Sequence, residues 1–241
     1  MPHATAPPEA PSATREAVTR ARCVVLDLDG PVASVFAGEP AAVAAAELVG
    51  LARRDGRLVE AVRHSADPIA VLSAHTLALH AHGADTGWRR TVAAMHELLD
   101  DYERKAAETA VPTPGAAAFI ESCHASGRSL AVATNNHADA AARILERMAV
   151  LHCFPEGAVV GRSGDAREMK PSPVPLLRAM RPGLGPGGHL MIGDTVTDYR
   201  AARQVGMPFC GYHAKGVGRQ RLSAAGAPLV VARMAELSVF G

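Results

Sequence analysis

Three short apolar runs that end in polar side chains constrain the fold of this chain more than any other feature. The first, Cys23–Gly30, ends in two aspartates and a glycine. The second, Leu130–Thr134, ends in a threonine that two asparagines follow, and the third, His189–Asp194, ends in an aspartate. Such runs are typical of buried parallel strands whose carboxyl ends deliver polar groups into loops.

Helical patterns lie between or after these runs. Helices are predicted at Pro114–Ser126, Ala138–Met148, Val174–Met180 and Thr197–Val205, and shorter strands at Ala158–Val160, Pro208–Tyr212 and Leu229–Val231. Strands that alternate with helices indicate an α/β fold, in which right-handed crossovers join the strands of a parallel sheet. Ligands bind such sheets beyond the carboxyl ends of the strands, where all three polar clusters fall.

The stretch from residue 32 to residue 112 follows a different pattern, without a convincing strand. Helices are predicted at Pro40–Arg54, Leu58–His64, Pro68–His82 and Thr86–Ala107. Asp67 before Pro68 is a typical helix start, and the linker Val111–Gly115 ends the stretch. We therefore expect a mobile N-terminal tail over residues 1–20, an α/β core built from residues 21–31 and 113–241, and a helical domain inserted at residues 32–112.

Composition excludes several classes of partner. Lys and Arg number 25 and Asp and Glu 24, so the net charge is +1 and no basic field exists for nucleic acid. Aromatic residues are 4% of the chain, and no apolar window reaches the ~18 residues of a membrane span. The four cysteines form no C-x-x-C pair and suit a reducing cytoplasm. We expect a cytoplasmic protein with neither nucleic-acid nor membrane partners.

Four aspartates stand at the ends of two predicted strands. Asp27 and Asp29 follow the first strand; Asp194 ends the third, and Asp198 falls in the first turn of a helix that we expect Thr197 to cap. These carboxylates would repel one another without a cation. Hard oxygen ligands suit Mg²⁺, which proteins typically bind through one or two carboxylates together with substrate phosphate oxygens.

Other polar residues add groups that can hold a phosphate. Lys170 lies in a loop before a helix, where it offsets the acids and offers a point charge. Thr134 supplies a hydroxyl at the second strand end, and Asn135 adds amide groups.

The ordered set Asp27-Leu-Asp29-Gly30, Thr134, Lys170 and Gly193-Asp194-x-x-x-Asp198 resembles the haloacid dehalogenase superfamily from about Arg22 to Val231. The resemblance implies a Rossmann-like parallel-sheet core with the inserted helices as a C1-type cap. It also implies phosphoryl chemistry, since the dehalogenase branch lacks an acid at the place of Asp29. Pro31 departs from the commoner Thr or Val, at a position that is not catalytic in the family.

The resemblance also implies roles for individual residues. Asp27 would attack phosphorus and form an aspartyl-phosphate. Asp29 would protonate the leaving group and then activate water. Thr134, Asn135 and Lys170 would bind the phosphoryl oxygens, with Lys170 also orienting Asp27.

The metal is expected to be Mg²⁺. Asp194 would be a direct ligand, Asp198 a ligand or an orienting acid, and Asp27 and the backbone carbonyl of Asp29 would complete the set.

The expected reaction is hydrolysis of a small phosphorylated metabolite, with phosphoglycolate phosphatase-like enzymes as the nearest functional example. A phosphomutase acting on a sugar phosphate and a non-catalytic binding protein remain alternatives. Arg53, Arg57 and Arg63 form either a solvated face or a reader of an anionic substrate, and His137 is a further candidate for the pocket. The short connections at each end of the inserted domain are candidate hinges for its closure.

Overall fold

The computed structural model of the chain describes residues 12–83 and 85–238. Its strands are β1 (Cys23–Leu26), β2 (Ala33–Ser34), β3 (Val111–Pro112), β4 (Ser129–Ala133), β5 (Val159–Val160), β6 (His189–Gly193), β7 (Phe209–Tyr212) and β8 (Val230–Val231). Its α-helices are α1 (Ser12–Arg20), α2 (Ala41–Arg54), α3 (Pro68–Ala81), α4 (Thr86–Thr109), α5 (Ala116–Ala125), α6 (Ala138–Arg147), α7 (Val174–Ala179), α8 (Val196–Val205) and α9 (Gly216–Ala224).

Six strands form one parallel sheet in the order β5-β4-β1-β6-β7-β8. The central strand β1 carries the first aspartates, and the strands that lead to the other polar clusters lie on either side of it. This sheet confirms the α/β fold with a Rossmann-like parallel core. No helix among residues 12–83 and 85–238 is long and apolar enough to cross a membrane.

Each face of the sheet has its own apolar cluster because successive strand residues point to opposite sides. Val24 and Leu26 of β1 pack into a cluster that also includes side chains of α5 and α6. Cys23 and Val25 pack into a second cluster with side chains of α7, α8 and α9. β1 is buried on both faces, which explains its uninterrupted apolar sequence.

The helices between β2 and β3 have a separate core. Side chains of α2, α3 and α4 form an apolar cluster that includes Leu48, Leu72 and Leu99. The last turns of α4 leave this cluster, because Ala106 and Ala107 pack into one of the clusters of the sheet. The predicted helix at Leu58–His64 is reduced to a 3₁₀ turn at Glu60–Val62.

The expectation of a mobile tail over residues 1–20 is wrong for its second half. Residues 12–20 form α1, and the remainder lies outside the described residues. Thr14, Val18 and Ala21 are buried, and their spacing of four and three places them on one face of a helix. Val18 and Ala21 join the apolar cluster of the sheet, so the helix is held by packing.

The expectation that residues 32–112 contain no strand is also wrong, although only at the two ends. β2 and β3 pair antiparallel, with Ala33 opposite Pro112 and Ser34 opposite Val111. The backbone N–H of Thr113 adds a bond of 2.9 Å to the carbonyl of Val32. The two connections are therefore tied together at the base of the insertion. Two-residue strands are too short to show the period-two pattern by which strands are recognised in sequence.

Candidate active site

The register of the sheet brings the predicted site residues to one edge. Leu26 of β1 pairs with Val132 of β4 and with Ile192 of β6. Asp27 is the next residue after Leu26. Thr134 lies two residues after Val132, and Asp194 lies two residues after Ile192. All seven predicted site residues line one cavity of about 300 Å³, namely Asp27, Asp29, Thr134, Asn135, Lys170, Asp194 and Asp198. That volume is at the lower end for small-molecule sites.

Lys170 is a buried cation among the residues that line this cavity. Its Nζ lies 2.8 Å from Oδ1 of Asp27 and 2.5 Å from Oδ1 of Asp198, and all three side chains are at least nine-tenths buried. Burial alone would lower the pKa of Lys170, but the carboxylates of Asp198 and Asp27 outweigh it and raise the pKa above its ordinary value. Lys170 therefore stays charged and holds the Asp27 carboxylate in a defined orientation.

The start of α8, near Asp198, differs from expectation. The helix cap is Thr195, not Thr197, and Asp198 is the partner in its capping box. Oδ2 of Asp198 accepts hydrogen bonds from the backbone N–H of Thr195 at 3.0 Å and from its hydroxyl at 2.6 Å. Since Lys170 contacts the other oxygen, both oxygens of this buried carboxylate have partners.

Three carboxylates can hold a metal ion. Asp27, Asp194 and Asp198 each offer an oxygen, and these atoms lie within 4.8 Å of one another. Burial and the charges of the neighbouring aspartates raise the pKa of Asp194 to about 9, and burial also raises the pKa of Asp27. These raised pKa values indicate that the single positive charge of Lys170 does not balance the negative charge of the aspartates. A hard divalent cation fits both the all-oxygen donor set and this excess of negative charge.

Asp29 lies in the turn that follows β1. Its Oδ1 accepts a hydrogen bond of 2.9 Å from the backbone N–H of Val35, which leaves Oδ2 for other partners. The crowded wall of the cavity desolvates the carboxyl group and raises its pKa, although part of the side chain reaches solvent. The turn depends on Gly30, whose φ is +100° and whose missing Cβ would lie 2.6 Å from Cγ of Asp194.

Thr134 and Asn135 follow β4. The hydroxyl of Thr134 is buried and bonds to the amide oxygen of Asn136 at 3.1 Å. The side chain of Asn135 accepts from the backbone N–H of Lys170 at 2.9 Å and donates to its carbonyl at 3.1 Å. Asn135 therefore positions the Lys170 loop, and its contact with phosphate stays a prediction.

The sequence reasoning missed a buried ion pair that supports this loop. Glu103 of α4 is fully buried, and its Oε2 lies 2.6 Å from Nη1 of Arg162, whose side chain is 2% exposed. Glu103 also accepts from Nδ2 of Asn136 at 3.0 Å and from the backbone N–H of His137 at 2.8 Å. Arg162 pairs with Asp100 as well.

A sequence signal for this pair existed. Glu103 is four residues after Leu99 and three before Ala106, on the buried face of α4. An acid on such a face requires a buried partner.

The arginines of the segment over residues 32–112 do not reach the cavity. Arg57 bonds to the carboxylate of Asp85 at 3.2 Å, and Arg63 pairs with Glu60 at 3.2 Å. Arg53 is exposed, and none of the three arginines is among the described residues that line the cavity. The candidate His137 caps α6, where its Nδ1 accepts from the backbone N–H of Asp139 at 3.2 Å.

Solved structures with this fold include several from bacteria. A predicted phosphatase from Clostridium acetobutylicum has a TM-score of 0.62 at 22% identity, with 89% of this chain and 95% of that chain covered. A predicted phosphoglycolate phosphatase from Haemophilus somnus has a TM-score of 0.61 at 18% identity, with 90% and 96% covered. At these identities the likeness shows the fold.

Curated relatives match part of the chain. A phosphoglycolate phosphatase from Salmonella typhimurium is 35% identical over 122 residues, which are 50% of this chain and 47% of that protein. The corresponding protein from Escherichia coli K12 is 32% identical over the same length. The match thus spans about half the length of these relatives.

The sequence profile of one family covers more of the chain. The profile, described as haloacid dehalogenase-like hydrolase, matches residues 75–212, more than half of the 241 residues. The matched stretch contains Thr134, Lys170, Asp194 and Asp198, and the same cavity holds Asp27 and Asp29 from outside it. From this match we conclude that the chain belongs to the haloacid dehalogenase-like hydrolases.

Proposed function

We propose that this chain is a phosphatase that hydrolyses small phosphate monoesters through an aspartyl-phosphate on Asp27. The observation that carries the proposal is the contact of Lys170 with Asp27 beside a cluster of aspartates at the carboxyl edge of the sheet. Such a cluster suits phosphoryl transfer, in which catalysis depends on positioning and on charge stabilisation. Family membership and the phosphoglycolate phosphatases among the relatives support the same reaction.

The nucleophile is Asp27 because its carboxylate is buried and oriented. Lys170 fixes one carboxylate oxygen at 2.8 Å, which leaves the other oxygen to attack phosphorus. Attack forms the bond between this oxygen and phosphorus and breaks the bond to the leaving oxygen. Lys170 and the Thr134 hydroxyl bind the transferring group, since both line the same cavity.

Asp29 moves the proton in both halves of the reaction. Its raised pKa favours the protonated form that donates to the leaving oxygen. The carboxylate produced by that step then takes a proton from water, whose oxygen bonds to phosphorus while the bond between Asp27 and phosphorus breaks. Inorganic phosphate leaves and the Asp27 carboxylate is regenerated. The bond from Val35 to Oδ1 leaves Oδ2 for this proton.

Mg²⁺ is the proposed cofactor, held by Asp27, Asp194 and the backbone carbonyl of Asp29. When bound, it neutralises charge that would otherwise keep a carboxylate away from a phosphate. Asp198 is proposed to orient Lys170 and the start of α8, because its Oδ1 lies 2.5 Å from Nζ of Lys170 and its Oδ2 accepts from the backbone N–H of Thr195. Its loss would free Lys170 and disturb Asp27 indirectly.

The helical segment over residues 32–112 is proposed as a cap over the core formed by residues 21–31 and 113–241. Support comes from the cavity, because Ala66, Asp67 and Ile69 of the insertion line it together with the aspartates of the core. The β2–β3 pairing at the base restricts bending there, so closure would move the helices about this pair. A closed cap would exclude bulk water from the reacting phosphoryl group.

A Mg²⁺-dependent assay with an aryl phosphate tests the proposal. Asp27→Asn is expected to lower kcat by roughly three orders of magnitude or more, and acyl-phosphate trapping should label Asp27 alone. Asp139→Asn is the matched control, because this aspartate is 86% exposed and lies outside the cavity. Substantial turnover by Asp27→Asn, or full activity in excess chelator, would contradict the mechanism. Isomerisation of a sugar phosphate without phosphate release would indicate a mutase instead.

A further inference from the structure

The cavity has two unlike halves. The core half contains the aspartates, Thr134, Asn135 and Lys170. The half that belongs to the insertion is lined by Phe36, Ala41, Ala66, Asp67, Pro68 and Ile69. The core half holds the phosphoryl group in the proposed reaction, and the remainder of the same cavity, where a leaving group can lie, is lined by the insertion. This half therefore decides which phosphate ester fits.

The insertion half offers nothing that binds an anion. Among the described residues that line the whole cavity, Lys170 is the only one with a cationic side chain, and it is already paired with two aspartates. Of the described residues on the insertion half, Asp67 alone has a polar side chain, and it is negative. A second anionic group would find no cationic partner there and would meet the negative charge of Asp67.

The N-terminus of α3 does not change this conclusion. Its first turn faces the cavity and carries partial positive charge. Oδ1 of Asp67 already accepts from the backbone N–H of Ile69 at 2.9 Å and from that of Ala70 at 3.1 Å. The free donors of this helix end are thus used by a carboxylate of the chain itself, which leaves the local charge negative.

Resting on the proposed function, we propose that the physiological leaving group is neutral or cationic, with an apolar portion against Phe36 and Ile69, and carries no carboxylate or second phosphate. Asp67 is the specificity-determining residue, since it repels an anionic leaving group and attracts an amino-bearing one. The curated relatives named phosphoglycolate phosphatase act on an ester whose leaving group is anionic, so this chain is expected to differ from them in substrate.

Three phosphate esters of similar size test the proposal: 2-phosphoglycolate, 2-hydroxyethyl phosphate and phosphoethanolamine, whose leaving groups are negative, neutral and positive. We expect kcat/KM for the neutral and positive esters to exceed that for phosphoglycolate by about tenfold or more, because only phosphoglycolate places a negative leaving group beside Asp67. Equal or faster hydrolysis of phosphoglycolate would overturn the proposal and leave the phosphatase function intact. No hydrolysis of these esters or of an aryl phosphate would refute the function itself, and the specificity proposal with it.

Asp67→Asn isolates the charge, because asparagine caps a helix about as well as aspartate. It is expected to reduce the preference for phosphoethanolamine over phosphoglycolate by about threefold to tenfold. Glu60→Gln removes a charge from the same insertion at a side chain that is 69% exposed, and it should not change the preference. An unchanged preference in Asp67→Asn would show that Asp67 does not discriminate between leaving groups.

A neighbouring cavity is the alternative place for the leaving group. It shares Asp29 and Asp194 with the first cavity and is also lined by His213 and Lys215. If phosphoglycolate is the preferred ester and Lys215→Ala abolishes that preference, the leaving group lies in this second cavity. That result would overturn the assignment of the leaving group to the insertion half.

Discussion

Replacement of Glu103 by alanine should destabilise the fold and slow catalysis together. Glu103 reaches from α4 to the loop after β4, where it binds the buried Arg162, the amide of Asn136 and the backbone N–H of His137. Asn136 in turn bonds to the hydroxyl of Thr134, a residue proposed to bind phosphate. Loss of the carboxylate therefore removes support from the active-site loop as well as from the interior.

The magnitude follows from the groups left without partners. Removing one member of a buried ion pair costs about 3 to 5 kcal/mol, and each buried donor left unsatisfied costs about 1 to 3 kcal/mol. Arg162 keeps Asp100 as a partner, which reduces the first term. We therefore expect the free energy of unfolding to fall by at least about 3 kcal/mol in all. Glu103→Gln keeps the volume and one acceptor, so it should lose less.

Urea unfolding followed by circular dichroism measures the change, and a double-mutant cycle with Arg162→Ala measures the coupling. The matched control is Glu108→Ala on the same helix. Glu108 also pairs with an arginine, Arg143, but both side chains are about half exposed, and such pairs contribute little. If Glu103→Ala lowers the free energy of unfolding no more than Glu108→Ala, the reasoning from burial is wrong.

Three further outcomes are expected. Burial lowers the pKa of His75 below its ordinary value of 6.5, so the folded chain binds this proton less readily than the unfolded chain. The free energy of unfolding, measured with urea, should therefore fall as the pH drops from about 6.5 through the lowered pKa. His75→Gln should reduce this pH dependence, and an unchanged dependence would contradict the assignment. Gly30→Ala should abolish turnover well below its own Tm, because the new Cβ would lie 2.6 Å from Cγ of Asp194; normal kcat would show that the turn tolerates a side chain. Mg²⁺ should raise Tm more at pH 8 than at pH 6, because folding raises the pKa of Asp194 from 3.8 to about 9 and its proton must leave before the cation binds. For the same reason the metal-free chain should lose stability as the pH rises from 6 to 8. An equal Tm shift at both pH values would contradict this assignment.

The sequence alone predicted the main strands and the edge of the sheet where the site lies. Apolar runs such as Cys23–Leu26 predict strands from local sequence. The register of the strands then determines which side chains lie side by side at the edge of the sheet. Because parallel strands place their carboxyl ends at one edge, the sequence predicts that Asp27, Thr134 and Asp194 belong to one site.

Elements that depend on distant packing were harder to predict. α1 falls within the stretch that the sequence predicts to be a mobile tail, and it is held by contacts of Val18 with a distant part of the chain. The pairing of β2 with β3 joins Ala33 to Pro112, far apart in sequence. Neither feature has a local pattern strong enough to be recognised.

The partners of charged side chains were decided by the tertiary structure. From sequence, Arg57 and Arg63 were candidates to read an anionic substrate, but the structure pairs them with Asp85 and Glu60 instead. Asp67, which the sequence marked only as a helix cap, lies in the cavity. The sequence determines which charges exist and the packing of α3 against the core determines which of them face the substrate, since a long charged side chain binds whatever partner the fold brings within reach.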